Sequence, residues 1–234
     1  MEKEKILNYL SKNPLLYIGI IEVIKRNTAE IIEFSKDGLL ILEKESMAYM
    51  MVSESPQGAE NLIKNVEKPL LFAAYEDYVP EIIEDIFSIS PSRTCLQAAY
   101  FKDIPLSWDK DIHIRNIDES YLDFISTHYN DGENSKEYIK SRLAAGALYG
   151  AFIDNHIAGF IGTHEEGAIG MLDILKEYRR MGIGQKLLGF MTDKFLNEKK
   201  IPFSQIMAGN EASYQLHKKL DYEISKESMI WFES

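Results

Sequence analysis

Ala168-Ile169-Gly170-Met171-Leu172-Asp173-Ile174-Leu175-Lys176-Glu177-Tyr178-Arg179-Arg180-Met181-Gly182-Ile183-Gly184-Gln185-Lys186-Leu187-Leu188 is the stretch whose reading decides the fold. Ala168 to Leu175 is apolar apart from Asp173 and predicts a buried strand. From Gly182 onward, Ile183, Leu187, Met191 and Phe195 recur every four residues, the apolar stripe of an amphipathic helix. Two glycines between strand and helix let the backbone turn tightly and come close to a ligand. The free N–H groups of a helix start, with the helix dipole behind them, attract phosphate. Arg179 and Arg180 add charge and forked donors. The local chemistry is that of a site for a phosphorylated ligand.

The type of phosphate loop follows from what is missing. G-x-x-x-x-G-K-[ST] occurs nowhere in the chain, and a dinucleotide fingerprint needs a glycine where Leu187 stands. The string present is R-x-x-G-x-G, from Arg179 through Gly182 to Gly184. It resembles the acyl-CoA pyrophosphate loop of the GNAT N-acyltransferase superfamily. A glycine-softened strand-to-helix turn is the bland alternative.

A second string supports the resemblance. Asn210 to Tyr222 is similar to the other GNAT signature, N-x-x-[AS]-x-x-L-Y-x-K-x-G-F, with Asn210, Ser213, Leu216 and Lys219 matching. His217 stands where the family usually has tyrosine, Asp221 replaces glycine and Tyr222 replaces phenylalanine. Aspartate tolerates the left-handed turn that ends such a helix. Helical spacing puts Asn210, Ser213 and His217 on one face, and Ala212, Leu216 and Leu220 on a core-facing one.

Around these motifs the chain reads as alternating strands and helices. Residues 110–234 give a strand at Ile112–Ile117, helices at Ser120–Tyr129 and Ser135–Ala145, and a hairpin of Leu148–Ile153 and Ile157–Thr163 turning at Asp154-Asn155-His156. The central strand and long helix follow, then a strand at Phe203–Ala208, a helix from Glu211 capped by Asn210, and a closing strand or hairpin at Tyr222–Phe232. That order matches the GNAT order. Residues 1–108 give two helices, three strands, helix, strand, helix, strand, with a hairpin turn at Lys36-Asp37-Gly38. The tract Lys102–Lys110, with Pro105, reads as a connector.

The expected fold class is therefore α/β (α+β): a GNAT domain at 109–234 with a mixed central sheet flanked by helices, and a degenerate GNAT-like half at 1–108. The first half's counterpart of the glycine loop, Glu54-Ser55-Pro56-Gln57-Gly58, carries an acid and no base, and should hold no pyrophosphate. A two-copy layout with an inactive first half resembles the glycine N-acyltransferase-like branch.

Composition narrows the rest. Of the 234 residues 45% are hydrophobic, ordinary for a globular chain. The net charge is −11, with 11 basic and 17 acidic side chains in residues 1–108 and 15 and 20 in residues 109–234. Nucleic-acid binding is disfavoured, since neutralising phosphates needs a basic face. Lys176–Lys200 is a local exception, with seven basic residues against three acidic ones, and it contains the glycine loop. The lone cysteine, Cys95, can form neither an internal disulfide nor a thiolate metal site, and is expected as a core thiol. A cytoplasmic setting, no membrane span and no metal are the expectations; oligomeric state is open.

The resemblance implies an acyl-CoA-dependent N-acyltransferase, with acetyl-CoA or another acyl-CoA as cosubstrate and an amine, an amino acid or a protein terminus as acceptor. It implies a pyrophosphate held by Arg179, Arg180, Met181, Gly182, Ile183, Gly184 and Gln185. Asn210 and Ser213 would flank the pantetheine arm, and backbone N–H groups of Leu172 or Ile174 would face the oxyanion. In relatives the base lies near the start of the central strand, where Ala168 cannot serve. His164, Glu165 and Glu166 are the candidates, with Glu166 sharing the strand's face if the strand extends that far. His217 is the candidate acid toward the departing thiolate. The competing reading is a catalytically weak acyl-CoA-binding or regulatory module.

Overall fold

Leu39-Leu40-Ile41 and Met50-Met51-Val52 are apolar at every position, so strands made from them must be covered on both faces. The computed structural model, which describes residues 2–108, 111–129 and 135–234, covers them with helices on both sides. Its elements, in order, are α1 (Glu2–Leu10), α2 (Ile18–Arg26), β1 (Ala29–Ser35), β2 (Gly38–Glu43), β3 (Ala48–Ser53), α3 (Pro56–Ile63), β4 (Leu71–Ala74), α4 (Val79–Phe87) and β5 (Pro91–Ala99). There follow β6 (His113–Asn116), α5 (Leu122–His128), α6 (Ser135–Ala144), β7 (Leu148–Ile153), β8 (His156–Thr163), β9 (Ile169–Ile174), α7 (Ile183–Asn197), β10 (Phe203–Met207), α8 (Glu211–Lys219) and β11 (Glu223–Glu233).

The chain divides into two compact units whose sequences interleave. The first takes Met1–Ala99, Gln205–Tyr214 and Glu223–Ser234; the second takes Tyr100–Ser204 and Gln215–Tyr222. Both are built on mixed sheets flanked by helices.

In the first unit the strand order is β1-β2-β3-β4-β11-β5. β3 and β4 run parallel, and β11 is antiparallel to both its neighbours. The closing strand expected at Tyr222–Phe232 lies in this unit, between β4 and β5. Side-chain alternation sorts its core into two layers. Leu39, Ile41, Met50, Val52, Ala73, Cys95 and Trp231 meet α1 and α2, whereas Leu40, Met51, Phe72, Ala74 and Phe232 meet α3 and α4. Cys95 is a buried free thiol, as expected.

The loop Glu54–Gly58 is filled from within this unit. Ser55 caps α3 by accepting from Gly58 N at 3.1 Å. A Cβ at Gly58 would lie 2.8 Å from Asp37 O, so packing against the β1–β2 turn accounts for that glycine. The Glu54 carboxylate accepts from Tyr9 Oη and pairs with Lys12.

In the second unit β6, β7, β8 and β9 form an antiparallel run in the order β9-β8-β7-β6, and Ser204 of β10 pairs in parallel with Ile169. Ile117, Ile125, Ile139, Leu143, Phe160 and Met171 form the layer under α5 and α6. α7 lies against β8 and β9, with Ile183, Leu187, Met191 and Phe195 all buried, as the four-residue spacing predicts. The β7–β8 turn has both Asp154 and Asn155 at positive φ, the mirror-image turn suited to a two-residue hairpin. The tract read as a connector is tied to α7: Trp108 Nε1 and Leu106 N donate to the Asp193 carboxylate at 2.9 and 2.8 Å. Gly189 leaves the space the Trp108 ring occupies. Asp109 and Lys110, the end of that tract, lie outside the described residues. Among the described residues no helix is long and apolar enough to cross a membrane.

Two outcomes follow. Deleting residues 223–234 removes Met229, Trp231 and Phe232 from the first unit's two layers and bares the edges of β4 and β5. Loss of cooperative unfolding in that unit is expected, read by hydrogen exchange. The second concerns Glu76, whose carboxyl accepts from Ser53 N and Oγ at 3.2 Å while burial pushes it up to about 7. The native state then holds this proton to higher pH than the unfolded chain does. Stability therefore falls as pH rises from the ordinary carboxyl range through about 7. Glu76→Gln is expected to stabilise the protein by on the order of 2 kcal/mol at pH ~8 and hardly at all at pH ~4. Denaturant midpoints at the two pH values check it.

Candidate functional site

β9 enters the site in a distorted form. Its ladder with β8 pairs Gly162 with Gly170 and Phe160 with Asp173, so Ile161 faces two residues, Met171 and Leu172. Met171 carries φ 51°, a left-handed value rare for a bulky side chain. The extra residue makes a β-bulge, which bends the strand and takes backbone groups out of the ladder. On β9's other edge β10 pairs through Ser204, opposite Ile169. Of the two residues expected to supply N–H donors, Leu172 lies with Met171 where the strand is least paired, whereas Ile174 keeps its ladder partner Gly159.

The chain leaves β9 through a single 3₁₀ turn, Lys176–Tyr178, and then reverses into α7. Arg180 and Gly182 both sit at positive φ, 68° and 78°, and Gly182 is the N-cap of the helix. Lys186 N donates to Gly182 O at 3.1 Å, closing the first helical turn. The N–H groups before it have no acceptor inside a helix. No acidic residue lies in the first turn of α7 to compete for them.

The two glycines differ in why they are glycines. Gly182 needs its left-handed backbone, and a Cβ there would meet nothing within 4 Å. Gly184 has no positive φ. A Cβ on it would meet only Leu216 Cδ2 at 3.7 Å and Ile174 Cγ1 at 3.8 Å, ordinary contacts. The fold does not demand a glycine at 184. The residues present fit an acyl-CoA pyrophosphate lying close against this helix start.

The arginines divide their work. Arg179 turns back onto β9, its Nε donating to Ile174 O at 2.9 Å and its Nη2 lying 3.6 Å from Asp173 Oδ1. It braces the loop, although the sequence placed it among the phosphate ligands. Arg180 and Met181 are exposed on the loop, Ile183 is buried beneath it, and Gln185 is half-buried in the first helical turn. A cavity of about 520 Å³ opens beside the loop, with Met181, Ile183 and Lys186 on one side and Asp111, Phe152 and Asp154 on the other. That is large enough for a substantial part of a nucleotide.

The turn before β9 holds the candidate bases. His164 N donates to Ala168 O at 2.9 Å and Gly167 N to His164 O at 3.0 Å, with Gly167 at φ 94°. The β8–β9 ladder ends at Thr163–Ile169, so β9 does not reach back to Glu166. The face-sharing expected of Glu166 does not arise, because the tight turn closes first; Glu166 is buried in that turn. His164 points differently. Its Nδ1 lies 2.6 Å from Tyr138 Oη on α6, and the two rings stack with centroids 5.9 Å apart. Its Nε2 edge sits over β9, where a Cβ on Gly170 would come within 2.4 Å. Arg142 pins the turn by donating to Thr163 O at 2.9 Å and His164 O at 3.4 Å. Sequence reasoning missed Tyr138, which appeared only as one position in a helix.

On α8, Asn210 acts as the expected cap, accepting from Ser213 N at 3.0 Å. Ser213 is half-buried. His217 departs from its expected place on a polar face. It is 4% exposed, with its ring edge-on to Tyr222 at 5.0 Å. Leu216, one residue earlier, is the side chain nearest Gly184. Ala212, assigned to the core face, is exposed. Asp221 takes the left-handed turn at φ 59°, and the Tyr222 hydroxyl lies 2.6 Å from Thr192 Oγ1, as an aromatic plug under α7. The helix therefore buries His217 with Leu220, because the chain must turn back at Asp221 to seat Tyr222.

Residues 113–222 match the model of the acetyltransferase (GNAT) family. No curated protein matches the chain at a significant level. Among solved structures, a Drosophila melanogaster protein superimposes with TM-score 0.73 at 15% identity, over 100% of this chain and 96% of that one. A GCN5-related N-acetyltransferase from Kribbella flavida matches with TM-score 0.57 at 11% identity, over 93% and 94%. A GCN5-related N-acetyltransferase-like protein from Streptococcus suis matches with TM-score 0.56 at 13% identity, over 98% of each chain. These likenesses show the fold.

Gly170→Ala is expected to push the imidazole off β9 and break its contact with Tyr138, since the ring must yield before the strand does. The cost should be about 1 kcal/mol, at the low end of overpacking. Histidine ring NMR signals before and after substitution check the displacement, and a denaturant midpoint checks the cost.

Proposed function

We propose that this protein is an acyl-CoA-dependent N-acyltransferase, with acetyl-CoA as default donor and a primary amine as acceptor. The observation that carries the reading is Gly184, a helical glycine whose missing side chain nothing in the fold explains. The donor supplies an acyl carbon activated as a thioester. Main-chain N–H groups at the start of α7, with Arg180 beside them, would hold its pyrophosphate. The bulged β9 would offer Leu172 or Ile174 N–H to the oxygen that gathers charge as the acyl carbon is attacked.

The acceptor is a small amine, an amino acid or a protein terminus. An alkylammonium is only about one part in a thousand neutral at pH 7, so a base beside it has work to do. His164 and Glu166 stand at the turn before β9 for that role. A second reading, a weakly catalytic acyl-CoA-binding module, is favoured by one observation. His217, at the family's tyrosine position, packs on Tyr222 in the core, which fits a packing role better than that of an acid toward the thiolate.

We read the first half as a degenerate copy related to the glycine N-acyltransferase-like branch. Its element order supports this, as does a loop whose carboxylate, Glu54, is already engaged by Lys12 and Tyr9.

Two substitutions and one assay test the function. Gly184→Ala is expected to stabilise the free protein by about 0.5–1 kcal/mol, as alanine does inside a helix, while weakening acetyl-CoA binding at least roughly tenfold. Gly182→Glu is expected to abolish binding by setting a carboxylate against the pyrophosphate. Calorimetry with acetyl-CoA reads both; unchanged affinity in both folded variants would sink the assignment. Thiol release from acetyl-CoA across a panel of amines and amino acids separates an enzyme from a binding module.

A further inference from the structure

We infer that His164 is the general base of the acyl transfer and that Tyr138 is the residue that positions it, an assignment that rests on the N-acyltransferase reading above. Three observations converge on the pair. The imidazole is held at both ends, by Tyr138 Oη at 2.6 Å from Nδ1 and by the turn that Arg142 pins through Thr163 O and His164 O. Its other nitrogen, Nε2, is directed over Gly170, the β9 residue immediately before the bulge. Gly170 takes no positive φ, so its backbone does not require glycine. What requires it is the ring, because any side chain there would collide with Nε2. The strand has given up a side chain to admit an imidazole beside its least paired backbone.

The chemistry of the contact selects a tautomer. Either the phenol donates to Nδ1, or Nδ1–H donates to the phenol oxygen. Only the second leaves a lone pair on Nε2. Burial holds the Tyr138 hydroxyl firmly protonated, and the charges of Glu166, Glu165 and Tyr129 act in the same direction, opposed by Arg142. A phenol that keeps its proton can turn its O–H away from the ring and offer its oxygen to Nδ1–H, and base chemistry at Nε2 selects that arrangement. The imidazolium formed during turnover then keeps the same hydrogen bond, now charge-assisted.

The proton and electron balance is complete without any further reagent. The substrate ammonium gives one proton to Nε2 and becomes a neutral amine. Its nitrogen forms a bond to the acyl carbon, and the carbon–sulfur bond breaks with its electron pair staying on sulfur. The second nitrogen proton passes to the thiolate, and His164 returns its own to solvent. Glu166, buried in the turn and acting on Tyr138 through its charge, is left as an electrostatic neighbour.

The test has a readout independent of turnover. In free protein labelled with ¹⁵N-histidine, which has five histidines, His164→Gln identifies the His164 signals. The expected pattern is a proton on Nδ1 and an unprotonated Nε2 above the imidazole's titration, lost in Tyr138→Phe. In the thiol-release assay with acetyl-CoA and the best amine of the panel, His164→Gln is expected to lower kcat about 10²-fold and to remove the acidic limb of the rate profile. Tyr138→Phe is expected to lower kcat about tenfold, the worth of one charge-assisted hydrogen bond, and to move that limb to lower pH. The KM for acetyl-CoA should not change in either. An Nε2–H tautomer in the free protein, or superimposable pH profiles for wild type and His164→Gln, overturns the assignment and leaves the acyltransferase reading intact. Wild-type protein that neither binds acetyl-CoA nor releases thiol overturns both.

Discussion

An α-helix cannot satisfy its own first N–H groups, and the second unit is arranged so that those of α7 stay available. Gly182 caps the helix without a side chain, the first turn carries no acid, and Arg179 is diverted onto the end of β9. The same arrangement sets a demand on β9. It must deliver the chain at the correct angle to a tight turn, and its backbone leaves the ladder shortly before that turn. The bulge at Met171 and Leu172 is that departure, and the left-handed Met171 is its strain. The buried stripe of α7 then fixes the helix against β8 and β9 so that the turn has no freedom to relax.

Much of this was legible in the sequence because it is written in local patterns. The apolar run of β9, the four-residue stripe of α7, the asparagine cap of α8 and the Asp154-Asn155 hairpin each depend on neighbours in the chain. What escaped depends on distant partners. β11 alternates like any strand, and nothing in its residues says that it lies between β4 and β5. The bulge is invisible because methionine and leucine carry no signal for a left-handed backbone. His217 was misplaced because an ideal helical wheel ignores where the next turn leads. The chain seats Tyr222 against Thr192, and His217 follows it inward. Tyr138 looked like any aromatic residue on a weakly amphipathic helix, and only the folded turn brings His164 to it.

The strand-to-helix turns of the two units differ in their electrostatics. In the second, the strand-to-helix turn carries arginines and an uncovered helix start. In the first, the turn between β3 and α3 carries Glu54, and that charge is met by Lys12 and Tyr9 from the residues before β1. A turn neutralised from within needs no ligand for its stability.

β11 has a bearing on how the protein is made. The Ser92 hydroxyl donates to Trp231 O across 139 residues of chain. A ribosome supplies residues 2–99 early, with β4 and β5 among them, but the strand that lies between those two emerges only after α5 through α8. Until then two apolar strand edges wait without a partner, at the stage when a nascent chain is most open to aggregation. The first unit is begun first and closed last, so its completion reports that everything between has been synthesised.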